Sequence, residues 1–419
     1  MLLPEEFIRT TREVMGSERF ERYLQSFEEE TPVSIRLNPH KRGEKREVRG
    51  ERIPWCRNGY YLPTRPNFTF DPLFHAGCYY VQEAASMFLD EVLRQHIPHL
   101  TSTLSPLSAL DLCAAPGGKS TLLRAALPAE CVLYSNEPMQ KRASILLENV
   151  TKWGYDNHFV TNLYPRDYRK SKMKFDLILC DVPCSGEGMF RKDEATIKEW
   201  SPQNVEKCWQ LQREIVSDAW ECLNEGGILI YSTCTFNTKE NEENVRWMIE
   251  ELGAKVVPVE TKPEWNITGS LLEGFNEPVY RFIPGVTRSE GLFMCVLQKG
   301  SLQAVHLERT GSPKGADGKS ARSGQKLTLM EESPLHADGP HVELTYAQAL
   351  AYLRHEALVL PPDIPRGIVN VCFMGQPLGL AKNIGNRANN LYPKEWRIKT
   401  THVPQDYEPV LTPIVAPSE

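Results

Sequence analysis

Residues 108–127 read SALDLCAAPGGKSTLLRAAL, a short apolar run, a loop of small residues closing on a glycine pair, and then an amphipathic stretch. This is how a strand turns sharply into a helix. Small side chains in such a loop let the backbone approach a ligand, and the free N–H groups of the helix start face it. Downstream the alternation continues: CVLYSNE, HFVTNLY, FDLILCD, GGILIYSTC, KVVPVE and GLFMCVLQ are strand candidates, most of them separated by helical stretches. Strands joined by helices imply crossover connections and a mainly parallel, doubly wound α/β sheet. Between the last two there is no room for a full helix, so an antiparallel edge is expected.

The ending GGKS invites a phosphate-loop reading, but that motif requires glycine five residues before Gly118, where Cys113 stands. The dinucleotide pattern G-x-G-x-x-G is absent as well. What remains is Glu137, about twenty residues on at the close of the next strand, where a carboxylate can accept hydrogen bonds from ribose hydroxyls. A ribose-bearing ligand without a pyrophosphate satisfies both observations. The plain alternative for Glu137 is an acid capping the following helix.

The chain has 419 residues, enough for two or three domains at roughly 100–200 residues each. With 41% hydrophobic and 24% charged residues it has the composition of a globular protein. No apolar stretch approaches the roughly 18 residues of a membrane helix, and the start MLLPEEFIRTTREVMG carries acids at Glu5 and Glu6, so a cytoplasmic location without membrane contact is expected. The 11 cysteines lack regular short spacing, which suggests reduced thiols. The 10 histidines are scattered, and no metal site is expected.

A net charge of −6 disfavours nucleic-acid binding by bulk electrostatics. Locally the balance reverses. Residues 36–57 hold eight Lys or Arg against three Glu, and residues 382–399 hold five against one. Both runs are interleaved with rings, at Trp55, Tyr60, Tyr61, Tyr392 and Trp396, a mixture suited to single-stranded RNA. Four parts are expected: an N-terminal α+β unit over 1–71, helical and then extended; the doubly wound domain over 72–300, opening on the helix-like YYVQEAASMFLDEVLRQ; a linker over 301–340 rich in Gly, Ser and charge; and a small α+β domain over 341–419, with a hairpin turning at MGQP.

Ligands of an open parallel sheet gather beyond the carboxyl ends of its strands. Asp181, Cys184 and Cys234 fall at such ends, each thiol in a turn-like setting: Pro183 and Gly186 beside one, Ser232, Thr233 and Thr235 beside the other. Cys180, Cys222 and Cys295 read instead as small core hydrophobes. A thiolate is the best side-chain nucleophile near neutral pH, and no histidine lies near either loop cysteine to make a protease pair. A thiol that adds to carbon 6 of a pyrimidine makes carbon 5 nucleophilic enough to take a methyl group from a sulfonium, after which a base must remove the carbon 5 proton. Two thiols and Asp181 supply those parts, with the roles of the thiols left open by spacing alone.

The motifs DLCAAPGGKS, LYSNE, FDLILCDVPCSGEGMFRKD and LIYSTCTFNTKENEENV resemble, in order and spacing, those of the Nop/Sun family of RNA cytosine-5 methyltransferases over about residues 30–300. The flanks IPWCRNGYYL, FHAGCYYVQEAASM and GQPLGLAKNIGNRANNLYPKEWRI look like its bacterial RsmF branch, which acts on 16S ribosomal RNA and carries a C-terminal PUA-like RNA-binding domain. The resemblance implies a Rossmann-like domain dependent on S-adenosylmethionine, with Cys234 as the nucleophile and Cys184 assisting release. Cys113, Ala114, Ala115, Pro116, Gly117, Gly118 and Lys119 would wrap the cofactor, Glu137 would hold its ribose, and Asp181 would lie between cofactor and base. Where the family carries an acid to meet the adenine amino group, this chain reads VTNLYPRDY; Asn162 is the expected replacement, with Asp167 as the weaker candidate. A monomer acting on 16S RNA or the small ribosomal subunit is expected. Transfer RNA as substrate and a non-catalytic assembly factor are the alternatives, and DNA methylation is disfavoured because such enzymes use a single proline–cysteine nucleophile.

Overall fold

The computed structural model describes residues 3–41, 46–103, 106–300, 328–331, 334–400 and 402–413. Two helices open the chain, α1 (Glu5–Met15) and α2 (Ser17–Gln25), broken at Gly16, whose φ of 76° favours glycine. Their apolar faces carry Phe7, Met15, Phe20 and Tyr23, which pack on Phe190, Trp200 and Phe236. These helices therefore brace the loops that follow the two thiol-bearing strands.

The first sheet has the order β3 (Glu51–Arg52), β4 (Gly59–Leu62), β1 (Val33–Leu37), β5 (Tyr79–Val81), all antiparallel where paired; β2 (Arg46–Val48) lies outside it. The strand β5 corrects the helical reading of YYVQEAASM: Tyr79, Tyr80 and Val81 are ring-bearing and β-branched, and they pair with Leu37, Arg36 and Ile35. A one-turn helix α3 (Pro72–His75) precedes β5, and the helix read from Tyr79 starts at Leu89, as α4 (Leu89–Thr103).

The central sheet contains β6 (Ser108–Asp111), β7 (Val132–Asn136), β8 (His158–Thr161), β9 (Phe175–Asp181), β10 (Leu223–Thr233), β11 (Lys255–Val256), β12 (Tyr280–Phe282) and β13 (Leu292–Gln298) in the order β11-β13-β10-β9-β6-β7-β8, with β12 paired to β13. Strands β6 to β10 run parallel to one another, and β13 runs antiparallel to both β10 and β11, so the expected antiparallel edge is present. Both faces are covered. Along β9, Leu177 and Leu179 enter the core under α4 and α5 (Gly118–Ala126), while Ile178 and Cys180 enter the opposite core under the long helix 202–222. Cys180, Cys222 and Cys295 are buried there, as small hydrophobes. The chain steps outward from β6 through β7 to β8 and then returns to β6's other side as β9, which makes the mouth between β6 and β9 the switch point.

The last sheet has the order β14 (His341–Glu343), β15 (Gly367–Phe373), β16 (Gln376–Asn383), β17 (Ala388–Asn390), with the hairpin turning at Met374 and Gly375, both at positive φ. Its core is continuous with that of the first sheet: Ile35, Phe70 and Leu73 share a cluster with Val342, Leu350 and Tyr352. Strand β18 (Leu411–Pro413) closes the connection by pairing with β2. Of the expected linker, 301–327 and 332–333 lie outside the described residues. Between them, Leu329 bridges Thr161 at the edge of β8, and the Met330 N–H donates to the Val160 carbonyl at 2.9 Å.

Candidate active site

The glycine loop sits at the switch point. Gly117 adopts a φ of 117° to turn β6 into α5, where a Cβ would also press on Leu146. The loop is held from outside by donors aimed at its carbonyls: Arg142 Nη2 to Ala115 O at 3.0 Å, Asn149 Nδ2 to Pro116 O at 2.8 Å and Arg36 Nη2 to Gly118 O at 3.1 Å.

Beside it opens a cleft of about 430 Å³ lined by Tyr80, Gln82, Asp111, Cys113–Pro116, Lys119, Asp181, Cys234, Glu290 and Leu292 among others. At its floor Lys119 Nζ meets Asp181 Oδ2 at 2.8 Å, and Ser232 Oγ donates to Asp181 Oδ1 at 2.6 Å. Burial alone would lower Lys119, but the charge and hydrogen bond of Asp181 outweigh it and raise the ammonium above its ordinary value. Two further carboxylates face the cleft. Asp111 takes a hydrogen bond from Ser120, yet its Oδ1 has no hydrogen-bond partner among the described residues, and burial pushes it up to about 7. Glu290 pairs with Arg191 at 3.1 Å, its Oε2 is likewise unpartnered there, and burial pushes it up to about 7.

The two loop cysteines converge. Cys184 Sγ and Cys234 Sγ stand 3.1 Å apart, and the Cys234 N–H points at Cys184 Sγ at 3.2 Å. The hydrogen bond with Cys234, then burial, raises Cys184 well above an ordinary thiol. Cys113 is also raised, chiefly by burial.

Glu137 is buried; its Oε1 accepts from the Met139 N–H at 2.9 Å, and its Oε2 lies 3.2 Å from Arg142. The capping role is therefore realised at one oxygen. Asn162 donates from Nδ2 to the carbonyls of Glu137 at 2.7 Å and Pro138 at 2.9 Å, which ties it to the same turn. Asp167 instead accepts from the Tyr164 N–H at the start of helix 165–171. Neither Glu137 nor Asn162 is among the cleft-lining residues.

Of the five rings expected to stack on RNA, Trp55, Tyr61 and Tyr392 are core residues, while Tyr60 and Trp396 are half-buried. Aromatic spacing cannot distinguish a stacking face from a packed one. The cations fare differently: Arg49, Arg52, Arg57, Lys382, Arg387 and Lys394 are exposed. Among the described residues no cluster of three His, Cys, Asp or Glu could hold a metal, and no helix is long and apolar enough to cross a membrane.

A doubly wound sheet with an antiparallel last strand and a cleft at its switch point defines the Rossmann-like methyltransferase fold. The family model of 16S rRNA methyltransferase RsmB/F matches residues 104–298, that of the N-terminal domain of 16S rRNA methyltransferase RsmF residues 3–84, and that of the methyltransferase RsmF PUA domain residues 340–398. The chain is thus similar to the RsmB/F family in its central part and to the flanking domains of the RsmF branch on either side. It is 32% identical to the ribosomal RNA small subunit methyltransferase F of Pectobacterium atrosepticum over 313 residues, 71% of this chain and 63% of that protein, so the match spans less than two thirds of that relative. To the protein of the same name from Shigella flexneri serotype 5b it is 29% identical across 94% of this chain and 96% of that one. A crystal structure of a methyltransferase homolog protein from Pyrococcus horikoshii, 25% identical, superposes with a TM-score of 0.58 over 71% of this chain and 95% of that one.

Proposed function

We propose that this protein transfers a methyl group from S-adenosylmethionine to carbon 5 of a cytosine in 16S ribosomal RNA through a covalent cysteine–base intermediate. The observation that carries this reading is the pair of thiols 3.1 Å apart beyond β9 and β10, one of which, Cys234, lines the same cleft as the glycine loop. The cofactor fits the residues present: Asp111 Oδ1 and Glu290 Oε2, on residues lining the cleft, have no hydrogen-bond partner among the described residues and are acceptors for a ligand that carries an amine and hydroxyls. Residues 113–119 would wrap it, Glu137 would take its ribose and Asn162 Oδ1 would accept from the adenine amino group. When bound, it supplies a methyl group made electrophilic by a sulfonium.

In this reading the Cys234 thiolate bonds to carbon 6 of an unstacked cytosine and makes carbon 5 the nucleophile. Asp181, fixed by Lys119 and Ser232, holds the polar edge of the base. After methyl transfer a water molecule takes the proton from carbon 5, and the electron pair it leaves re-forms the carbon 5–carbon 6 double bond. The carbon–sulfur bond breaks with Cys234 leaving as a thiolate, which the neighbouring Cys184 thiol assists by hydrogen bonding. The exposed cations of the first and last sheets would contact RNA phosphates. The names of the relatives favour ribosomal RNA over transfer RNA.

The test is transfer of label from methyl-labelled S-adenosylmethionine into naked 16S RNA, assembled small subunits and transfer RNA, with Cys234→Ala as control. Label in small subunits or their RNA that vanishes in the control supports the proposal. Label confined to transfer RNA overturns the substrate, and no label in any of the three overturns the reaction.

A further inference from the structure

Beneath the two thiols lie two carboxylates that the mechanism above does not use. Glu187 belongs to the loop after β9 and reaches across to the loop after β10, where it accepts from the N–H groups of Phe236 at 2.7 Å and Asn237 at 2.9 Å. Trp200 Nε1 at 3.0 Å and Asn237 Nδ2 at 3.1 Å complete its partners. Glu240 belongs to the second loop and reaches back to the first: it accepts from the Ser185 N–H, next to Cys184, at 3.0 Å. It also accepts from Gln212 Nε2 at 2.6 Å and Asn237 Nδ2 at 2.8 Å. Both side chains are buried, and Asn237 touches both.

Each thiol loop is thus held by a carboxylate from the other. All of these partners are donors, so the sites suit carboxylates and leave an amide's NH₂ without an acceptor. Further bonds cross the same seam: Ser185 Oγ to Thr235 Oγ1 at 2.8 Å, and the Gly188 N–H to the Cys234 carbonyl at 2.8 Å. Burying two acids side by side is unfavourable, and apolar residues would pack the loops without that cost. Burial and then the charge of Glu187 push Glu240 up to about 7, against the hydrogen bonds of Ser185, Asn237 and Gln212.

We propose that Glu187 and Glu240 are positioning residues, a reciprocal clasp that fixes Cys184 and Cys234 at reacting distance. The proposal deepens the methyl-transfer reading and rests on it for its purpose, but its geometry can be tested without methylation. Diamide, an azo oxidant, takes two hydrogens from a thiol pair: two S–H bonds break, one S–S bond forms and the azo group becomes a hydrazine. The rate at which Cys184 and Cys234 are joined, read by peptide mass mapping, reports how well the clasp holds them.

The full-length chain is compared with Glu187→Gln, Glu240→Gln and the milder Asn237→Ala. The expected result is a joining rate lowered by about tenfold or more in the glutamine variants, beyond what their fall in thermal midpoint accounts for, and less in Asn237→Ala, with S-adenosylmethionine affinity retained. Methylation should lose kcat by about a hundredfold at unchanged KM. A wild-type pair that diamide does not join, or an unchanged joining rate in the variants, overturns the clasp. So does a rate that falls only in step with the thermal midpoint, and where the glutamine variants do not fold, Asn237→Ala decides by the same criteria. If joining behaves as expected while the wild type methylates no RNA, the clasp stands and the methyl-transfer reading falls.

Discussion

The Sγ of Cys184 stands 3.1 Å from the Sγ of Cys234, at the ends of adjacent parallel strands. Cys184 is raised well above an ordinary thiol, first by its hydrogen bond with Cys234 and then by burial, so it keeps its proton. Cys234, and not Cys184, is the thiol that lines the cleft. The geometry therefore breaks the symmetry that sequence spacing left between the two.

This asymmetry sets opposite outcomes for two substitutions. Cys234→Ala should abolish methylation and form no adduct, whereas Cys184→Ala should form the carbon–sulfur bond and release it slowly. Denaturing electrophoresis with labelled RNA checks both. Absence of a retained protein–RNA band in Cys184→Ala, with methylation still running, would reject the two-thiol scheme.

Arg36 ties the first sheet to the ligand loop. It is buried, donates to Gln82 Oε1 at 2.8 Å, Thr121 Oγ1 at 2.7 Å and Gly118 O, and lies 4.6 Å over the Trp153 ring. Replacing it with methionine leaves those acceptors without their donor, at a cost of about 2–4 kcal/mol. The thermal midpoint should fall and S-adenosylmethionine should bind more weakly, by calorimetry. Loss of stability without loss of affinity would mean that Arg36 supports the sheet and not the loop.

The sheet was readable because its strands obey simple periodicities. In β9 the side chains of Leu177 and Leu179 go one way and those of Ile178 and Cys180 the other, as a strand covered on both faces requires. Local pattern failed where partners are distant. Tyr79–Val81 follows helix-like spacing, yet its hydrogen bonds go to residues about Arg36. Arg36 itself lies in a basic run that suggested RNA, and pairing with Gln82 and Thr121 took it into the interior. Glu187 and Glu240 sit in segments quoted for their cysteines, but nothing in GEGMF or KENEEN says that each acid crosses to the other loop, some fifty residues away in sequence. Asp111 ends a strand legible in the sequence; that its Oδ1 has no hydrogen-bond partner among the described residues was not legible there.

Two buried histidines make stability depend on pH. His75 and His158 are both pushed down to about 3, by burial and then by the nearby charges of Lys152 and Arg124 respectively. Each uses Nε2, towards Thr69 O and Ser135 Oγ at 2.8 Å, while Nδ1 has no hydrogen-bond partner among the described residues. The folded-state values lie below the ordinary 6.5, so the neutral rings contribute full stability above pH 6.5 and that contribution is lost as pH falls from 6.5 towards 3. Each group steepens the loss by up to about 1.4 kcal/mol per pH unit. Thermal midpoints between pH 7 and pH 5 should fall less steeply in His75→Gln/His158→Gln than in the wild type, and equal slopes would refute the assignment.

Glu137 offers the sharpest test of the ligand loop, because its Oε2 is already engaged by Arg142. That arginine is 55% exposed, so the pair is worth little in water and a ribose can displace it. Arg142 also donates to Ala115 O, within the loop, so its removal has a second route of action. If Glu137 holds the ribose, Glu137→Ala should weaken S-adenosylmethionine by about tenfold or more, the loss of hydrogen bonds to a charged acceptor. Adenine alone, which has no ribose to lose, should bind both forms alike. Arg142→Lys keeps a cation near the acid and should change cofactor affinity far less than Glu137→Ala. Calorimetry with cofactor and adenine against the three proteins decides the matter: a Glu137→Ala protein that binds the whole cofactor as tightly as the wild type would reduce Glu137 to the helix cap its Met139 contact already makes it.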